Sequence, residues 1–585
     1  MRIQCIGRNP GEASKVHFTQ IRALVISAIA SVFLLYATVA ETAGRTPVRG
    51  KNGIVASSSM TASEVGLEAL RKGGNAIDAA VATAFALAVT WPTAGNIGGG
   101  GFLVYHGADG ETAAFDFREK APLAATEDMY LDDEGNVRQM SNHIGILAVG
   151  VPGTVAGLEM AHRKYGKLGW SELVEPAVEL AANGIPITWK LYDDFNRSRR
   201  LFVRHPSSMD VFFRPDGSSY EPGDTWIQSD LAATLERIQQ QGSDGFYKGE
   251  TARLIAEFMK KNGGLITRED LERYRAVERE PIKGNYRGYE IVSMPPPSSG
   301  GVVLAQMLNI LEGYDLKSIG HNTGMYMHLL TETMRRAYAD RANHLGDPDF
   351  NEDMPLDRLT SKAYAERLRN SIDPDFKSDS NPSQFAQRYE SEDTTHFSVV
   401  DKDGNMVSLT YTLEWSYGSH IVVEGAGFLL NNEMGDFNAQ PGVTNEQGAI
   451  GTPANRIRPE KRMLSSMTPT VVAKNGVPLF ATGSPGGKTI INTTMQTILN
   501  VIDHEMSIAQ AMEAPRIHHQ WLPDVTRFES WGISADSRRI YEERGHRIRE
   551  VSGIGSAMAV YRDPETGVLS GAADSRAADG GVAAY

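Results

Sequence analysis

The chain has almost no cysteine. One residue of 585, Cys5, carries a thiol, and it lies ahead of an apolar run. A disulfide framework, a thiolate nucleophile and a cysteine-based metal centre are therefore excluded for everything downstream. A chain of this size can dispense with disulfides if its core is large. A basic surplus is missing too. Lys and Arg number 58 against 72 Asp and Glu, for a net charge of −14, so the electrostatic footprint of a nucleic-acid binder is absent. Low-complexity tracts are few and no internal repeat is visible. With 41% hydrophobic residues and 58 Gly, the composition is that of a globular chain rather than a disordered one.

Long apolar runs are absent with one exception. Arg8, Lys15 and Arg22 precede an apolar run over residues 23–40, and polar, turn-rich sequence begins at Glu41. This pattern reads as a secretory signal with Thr38-Val39-Ala40 as an imperfect cleavage site, which predicts export to a periplasm or the medium. The alternative is an uncleaved membrane anchor, because the run is close to the length that spans a bilayer.

Local signals organise the rest. Thr61-Ala-Ser-Glu64 predicts a capping box for a helix closed by Gly73-Gly74. Residues 76–89 are almost wholly Ala, Val and Leu, the mark of a buried helix. A strand is expected over 102–105, residues 113–117 follow, and the span 150–375 is mostly helical by periodicity, with a rigid Pro-rich turn at 295–301 ahead of a helix through Leu311. Residues 371–393 are polar and expected to be exposed, a place where a chain tolerates a cut. From Thr394 onward the pattern changes to strands: 397–411 with a hairpin turn at Asp403-Gly404, then 427–430, then 471–480 folded at Asn475-Gly476. Ile491, Met495, Ile498 and Ile502 share one helix face. Helices, a strand-rich centre and helices again predict sheet layers covered by helices on both outer faces.

Several motifs fail on inspection. Gly483-Ser-Pro-Gly-Gly487-Lys488-Thr489 lacks the first glycine of a nucleotide-binding loop, since position 482 is Thr. Asp401-Lys-Asp403-Gly-Asn405 has Met406 where a calcium loop needs Gly. His518 and His519 are adjacent, so in regular structure their side chains diverge and make a poor metal pair. Two features survive. Ser484-Pro485-Gly486-Gly487, at a strand-to-helix junction, suits either an oxyanion hole built from backbone N–H groups or an ordinary tight turn. Asp393-Thr394-Thr395-His396 marks the end of the polar segment. A cut before Thr394 would free an α-amine, whose ordinary pKa of about 7.7–8.0 makes it a base near neutral pH. A threonine that carries its own base is a complete nucleophile.

Taken together, Thr394-Thr-His-Phe-Ser-Val-Val, Asn431-Asn432-Glu433-Met434, Leu464-Ser465-Ser466-Met467-Thr468-Pro469 and Ser484-Pro-Gly-Gly487 resemble the γ-glutamyltransferase signature in its order. Asn96-Ile97-Gly98-Gly99-Gly100-Gly101-Phe102 and Phe115-Asp116-Phe117-Arg118-Glu119 extend the resemblance, which runs from about Ile54 to the C-terminus. The resemblance implies an N-terminal-nucleophile hydrolase fold, a four-layer αββα sandwich. It implies one precursor cut between Asp393 and Thr394 into a large subunit, 41–393, and a small one, 394–585, that stay together as a heterodimer. Thr394 matches the nucleophile, Thr412 the threonine that orients it, and Gly486 and Gly487 the oxyanion donors. Arg118 matches the carboxylate-binding arginine, Ser465 and Ser466 its hydroxyl partners, and Glu433 and Asp436 the acids that hold the substrate ammonium. The implied substrates are glutathione and other γ-glutamyl amides, with water or an amino-acid or peptide amine as acceptor. No metal or organic cofactor is required by that chemistry.

Three positions depart from the family pattern. Glu414 stands where many members have Asn near the ammonium. Gly435 replaces an acid often found before Asp436. Gln447, within a lid-length segment at 438–461, stands where some members place an aromatic gate. Two rivals stay open: an acylase on the same fold that takes glutaryl or cephalosporin side chains, or handles poly-γ-glutamate, and an exported amino-acid or peptide-binding protein that is never cut.

Overall fold

A computed structural model describes residues 45–380, 394–444 and 451–585. The expected leader with Cys5, the cleavage residue Asp393 and the lid residue Gln447 lie outside the described residues.

The turn Asp403-Gly404, with Gly404 at φ +92°, closes a hairpin between Thr395–Asp401 and Met406–Thr412. Every residue of both strands is buried, so their alternation encodes two buried faces rather than one wet and one dry. Phe397, Val399, Val407, Leu409 and Tyr411 join the apolar cluster that contains the helices Met60–Arg71 and Ala76–Thr90. Val400 and Met406 point the other way, into a core formed with Val471, Ala481 and Met558 of a second sheet. The hydroxyls on that face are satisfied. His396 Nδ1 lies 2.8 Å from Thr410 Oγ1, and Ser408 Oγ donates to the Thr482 carbonyl at 2.9 Å. Burial pushes His396 down to about 3, so its ring is neutral.

Each of the two large sheets has seven strands. The first runs, in spatial order, Gly581–Ala584, Gly53–Ser57, Thr395–Asp401, Met406–Thr412, Gly100–His106, Thr112–Asp116 and Val277–Arg279. The second runs Val48–Gly50, Leu569–Ala573, Met558–Arg562, Val477–Gly483, Thr470–Lys474, Tyr289–Ser293 and Ile282–Tyr286. The helices Gly300–Leu311 and Thr489–Ile502 cover the outer face of the second sheet, with Gly324–His344 behind them in the same cluster. The result is the helix–sheet–sheet–helix sandwich expected from the sequence. Both sheets interleave strands from before and after Thr394, so a cut there leaves every ladder hydrogen bond between the two pieces in place.

Some local expectations are corrected. Ser59, not Thr61, caps the first helix, because its hydroxyl reaches the Ala62 amide and the helix already starts at Met60. Residues 427–430 form no strand beyond a single bridge between Val422 and Leu429. Gly425 and Gly427, both at φ +75°, turn the chain instead. Within the helical span, the strands Val277–Arg279, Ile282–Tyr286 and Tyr289–Ser293 were not expected. Two of them are edge strands, whose half-wet composition of Glu, Lys, Asn and Arg hides the strand pattern.

Asp401 ties the hairpin to the buried helix. Its carboxylate accepts from the amides of Ala76, Asp403 and Asn405 and from the Asn405 side chain, at 2.8–3.0 Å. Asp401→Ala should therefore cost about 2–4 kcal/mol of stability by leaving the buried Ala76 amide and two turn amides without their acceptor, and Asp401→Asn clearly less. Denaturant midpoints of the two variants check this.

Candidate active site

Thr394 stands one residue ahead of the central strand Thr395–Asp401. Thr395 pairs with Tyr411 and His396 with Thr410, and continuing that register by one residue sets Thr394 opposite Thr412. Thr412 is itself paired with Gly100 on its other side, so the neighbour of Thr394 is fixed by two ladders. Thr412 Oγ1 accepts from the Glu414 amide at 2.9 Å, which directs its hydroxyl proton elsewhere.

The strand Val477–Gly483 ends beside this point, and the helix Thr489–Ile502 begins six residues later. Between them Gly486 adopts φ +129° and Gly487 φ +53°. A side chain at 486 is excluded on space as well, since a Cβ there would lie 2.3 Å from Thr489 Oγ1. The amides of this turn precede the first turn of a 14-residue helix, where backbone N–H groups lack intrahelical partners and positive partial charge collects.

A cleft is lined by Thr394, Thr412, Gly487, Arg118, Glu414, Glu433, Asp436, Ser465 and Ser466, together with Arg341, Met467, Lys488 and Ile490. Nine of the residues singled out from sequence thus converge on one cleft, from segments more than 300 residues apart in the chain. Gly486 adjoins the lining through Gly487.

At the charged end of the cleft Arg118 is buried, 1% exposed. Its Nη1 donates to Glu433, its Nη2 to Asp436, and its Nε to the Met463 carbonyl at 3.2 Å. The resemblance gives the arginine to the substrate's carboxylate and the two acids to its ammonium; here they hold one another. Burial opposes the guanidinium charge, but Glu433, Asp436 and Glu119 outweigh it and keep Arg118 protonated. Glu119 is buried with its Oε2 3.7 Å from Arg118 Nη1. Burial pushes the carboxyls of Glu119 and Glu433 upward, against the pull of Arg118. Among the described residues, both oxygens of Glu119 and one of Glu433 have no hydrogen-bond partner. One guanidinium therefore faces more carboxyl than it can neutralise, and the surplus favours a proton or a cationic guest.

Arg341, from the helix Gly324–His344, was not singled out from the sequence. Its Nη2 donates to Ser466 Oγ at 2.9 Å and its Nε to Ser299 Oγ at 2.8 Å. Ser299 in turn donates to the Ser465 carbonyl at 2.6 Å. An arginine only donates, so Ser466 must accept from it and send its own proton elsewhere, as a donor. Nothing near Arg341 in the sequence distinguishes it from the other arginines of a helix; only the fold turns it inward. His518 and His519 stay outside the cleft and take separate partners, Asn492 and Asp524.

The chain is similar to several known proteins. The gamma-glutamyltranspeptidase family profile matches residues 62–585. The glutathione hydrolase proenzyme of Escherichia coli (strain K12) is 48% identical over 543 residues, covering 92% of this chain and 93% of that protein. Among solved structures, the cephalosporin acylase from Bacillus halodurans superimposes with a TM-score of 0.81 at 29% identity, over 94% of this chain and 98% of that one. The gamma-glutamyltranspeptidase of Helicobacter pylori gives 0.55 at 48% identity, over 58% of this chain and 95% of that one. The profile spans nearly all of the described chain, and the chain belongs to the gamma-glutamyltranspeptidase family.

Proposed function

We propose that this protein is made as a proenzyme, cuts itself between Asp393 and Thr394, and then acts as a γ-glutamyltransferase and glutathione hydrolase with Thr394 as its nucleophile. The observation that carries this reading is the register that sets Thr394 opposite Thr412, in one cleft with Gly487 and the Arg118 cluster. In the precursor the Thr394 hydroxyl attacks the Asp393 carbonyl. Collapse of the adduct breaks the C–N bond, which frees the α-amine and leaves an ester on Oγ, and water then hydrolyses that ester and releases the Asp393 carboxyl. In the mature enzyme that amine takes the hydroxyl proton as Oγ attacks the γ-carbonyl of the donor. Thr412 orients the hydroxyl, and the Gly486 and Gly487 amides receive the oxyanion. The departing amine leaves with the proton, and water or a second amine resolves the γ-glutamyl ester.

Residues 41–393 and 394–585 would be the two subunits, and the interleaved sheets support a heterodimer that outlives the cut. The H. pylori chain supports the same division, since nearly its full length corresponds to a stretch close to the three-fifths of this chain that 41–393 would form. Export, to a periplasm or the medium, rests on the basic and apolar pattern of residues 1–40; among the described residues no helix is long and apolar enough to cross a membrane.

Donor recognition is an exchange of ion pairs. The donor carboxylate takes the Arg118 fork and the Ser465 and Ser466 hydroxyls, while its ammonium takes Glu433 and Asp436, with Glu414 beside them. Every buried charge keeps a partner throughout, which matters because an unpaired buried charge is costly. A glutaryl chain brings no ammonium and would strand two carboxylates, which weighs against an acylase despite the overall similarity to one. A binding protein that is never cut would need the charged pocket but not a paired threonine beside a helix N-terminus.

Thr394→Ala should yield one uncut chain without activity; a cut or active variant, seen by intact mass and a γ-glutamyl assay, would remove Thr394 from the mechanism. Arg341→Met should raise the donor KM about ten-fold, as expected for loss of a charged hydrogen bond that aims Ser466, with kcat little changed. Because burial raises the Glu119 and Glu433 carboxyls, part of that pair holds a proton near neutrality; an ammonium partner lowers their pKa, so donor binding should release a proton and tighten as pH rises through the neutral range. Calorimetry with an unreactive γ-glutamyl analogue in buffers of different ionisation heat checks the sign.

A further inference from the structure

Glu414 lines the cleft from an unusual backbone. It follows the strand Met406–Thr412 and adopts φ +81°, a left-handed conformation that costs a non-glycine residue energy and persists only where its surroundings hold it. Two contacts do so. Its amide is bound by Thr412 Oγ1, and its carboxylate faces His143, whose Nδ1 lies 3.3 Å from each carboxylate oxygen.

His143 is wedged between the two segments that carry the acids. Its ring stacks on Trp415 at 5.2 Å with planes 9° apart. It also abuts Gly435, within the turn Glu433–Asp436, where an added Cβ would lie only 2.1 Å from Nδ1. Asn432 completes the clamp, donating to the His143 carbonyl at 3.1 Å and accepting from the Trp415 amide at 3.0 Å. The ring is 3% exposed. The glycine at 435 thus has a physical cause: the imidazole occupies the space its side chain would need.

We propose that His143 is a positioning residue for the donor's ammonium, holding the Glu414 carboxylate at the cleft and setting its spacing from Glu433 and Asp436. This inference rests on the reading that those acids receive an ammonium. His143 itself touches no substrate atom; it acts through Glu414. The arrangement makes selectivity for an α-amino donor over its des-amino analogue depend on a residue outside the cleft lining.

The test uses the mature enzyme with γ-glutamyl-p-nitroanilide and glutaryl-p-nitroanilide. His143→Phe keeps a ring on Trp415 and Gly435 but deletes the nitrogen. It should raise the γ-glutamyl KM about five-fold or more, the scale of one lost charged hydrogen bond, with kcat within about two-fold and the glutaryl KM unmoved. His143→Asn, whose amide can take the place of Nδ1, should restore most of the loss. Gly435→Ala, which displaces the ring rather than deleting it, should reproduce the His143→Phe phenotype, and serves if the Phe variant does not mature. A γ-glutamyl KM unchanged in both variants overturns the proposal, as does an equal loss with both donors. Asp436→Asn separates the two levels. If it weakens only the γ-glutamyl donor while the His143 and Gly435 variants do nothing, the ammonium reading stands and the role of His143 falls. If Asp436→Asn also affects both donors alike, the ammonium reading itself falls.

Discussion

The backbone ladders on either side of Thr395–Asp401 are the constraint on which the rest of this molecule depends. On one side the strand pairs with Gly53–Ser57, from before the proposed cut; on the other with Met406–Thr412, from after it. These hydrogen bonds are made regardless of side chain, so they fix where the strand begins, and hence where Thr394 stands, whether or not the peptide bond before it is intact. A chain that is to break itself at a residue and then use that residue needs its new end held by something other than the bond it breaks. A central strand between two partners supplies that.

Burial of charge is the second organising fact. Arg118, Glu119 and Glu433 are almost wholly removed from water, and such groups survive only as partners to one another. The cluster is therefore rigid in composition but exchangeable in pairing. A zwitterionic amino-acid head can enter it as a complementary pair, whereas a single charge would leave a remainder. The same logic reaches outward to Arg341, which forces a serine into a donor's role, and to His143, which braces an acid on a strained backbone. In each case the selectivity of the cleft is set by a side chain whose own charge or hydrogen bond is directed at another protein group.

Similarity to an acylase at a TM-score of 0.81 shows how little the sandwich alone says about substrate. The scaffold delivers a threonine, a neighbouring hydroxyl and a glycine turn at a helix N-terminus, which serve any amide. Under the proposed function the substrate is distinguished by the buried charge around Arg118, which is assembled from loops rather than from the sheets.

Sequence by itself determined a good deal here. The largely apolar helix Ala76–Thr90, the hairpin at Asp403-Gly404 and the helix face of Ile491, Met495 and Ile498 were legible because each depends on neighbours within a few residues. The layered architecture followed from their order, and the block resemblance named the residues that line the cleft. Other features were decided only in three dimensions. Edge strands such as Ile282–Tyr286 read as polar helix-region sequence because half of each strand stays wet. The mutual pairing of Arg118 with Glu433 and Asp436 joins positions more than 300 residues apart, and no local pattern encodes it. Arg341 looks like any arginine on a helix, and His143 like any histidine in a loop, until packing turns one onto Ser466 and the other onto Glu414. Local periodicity records what a residue's near neighbours require; the chemistry of this cleft lies in contacts between distant segments, which only the folded chain brings within reach of a hydrogen bond.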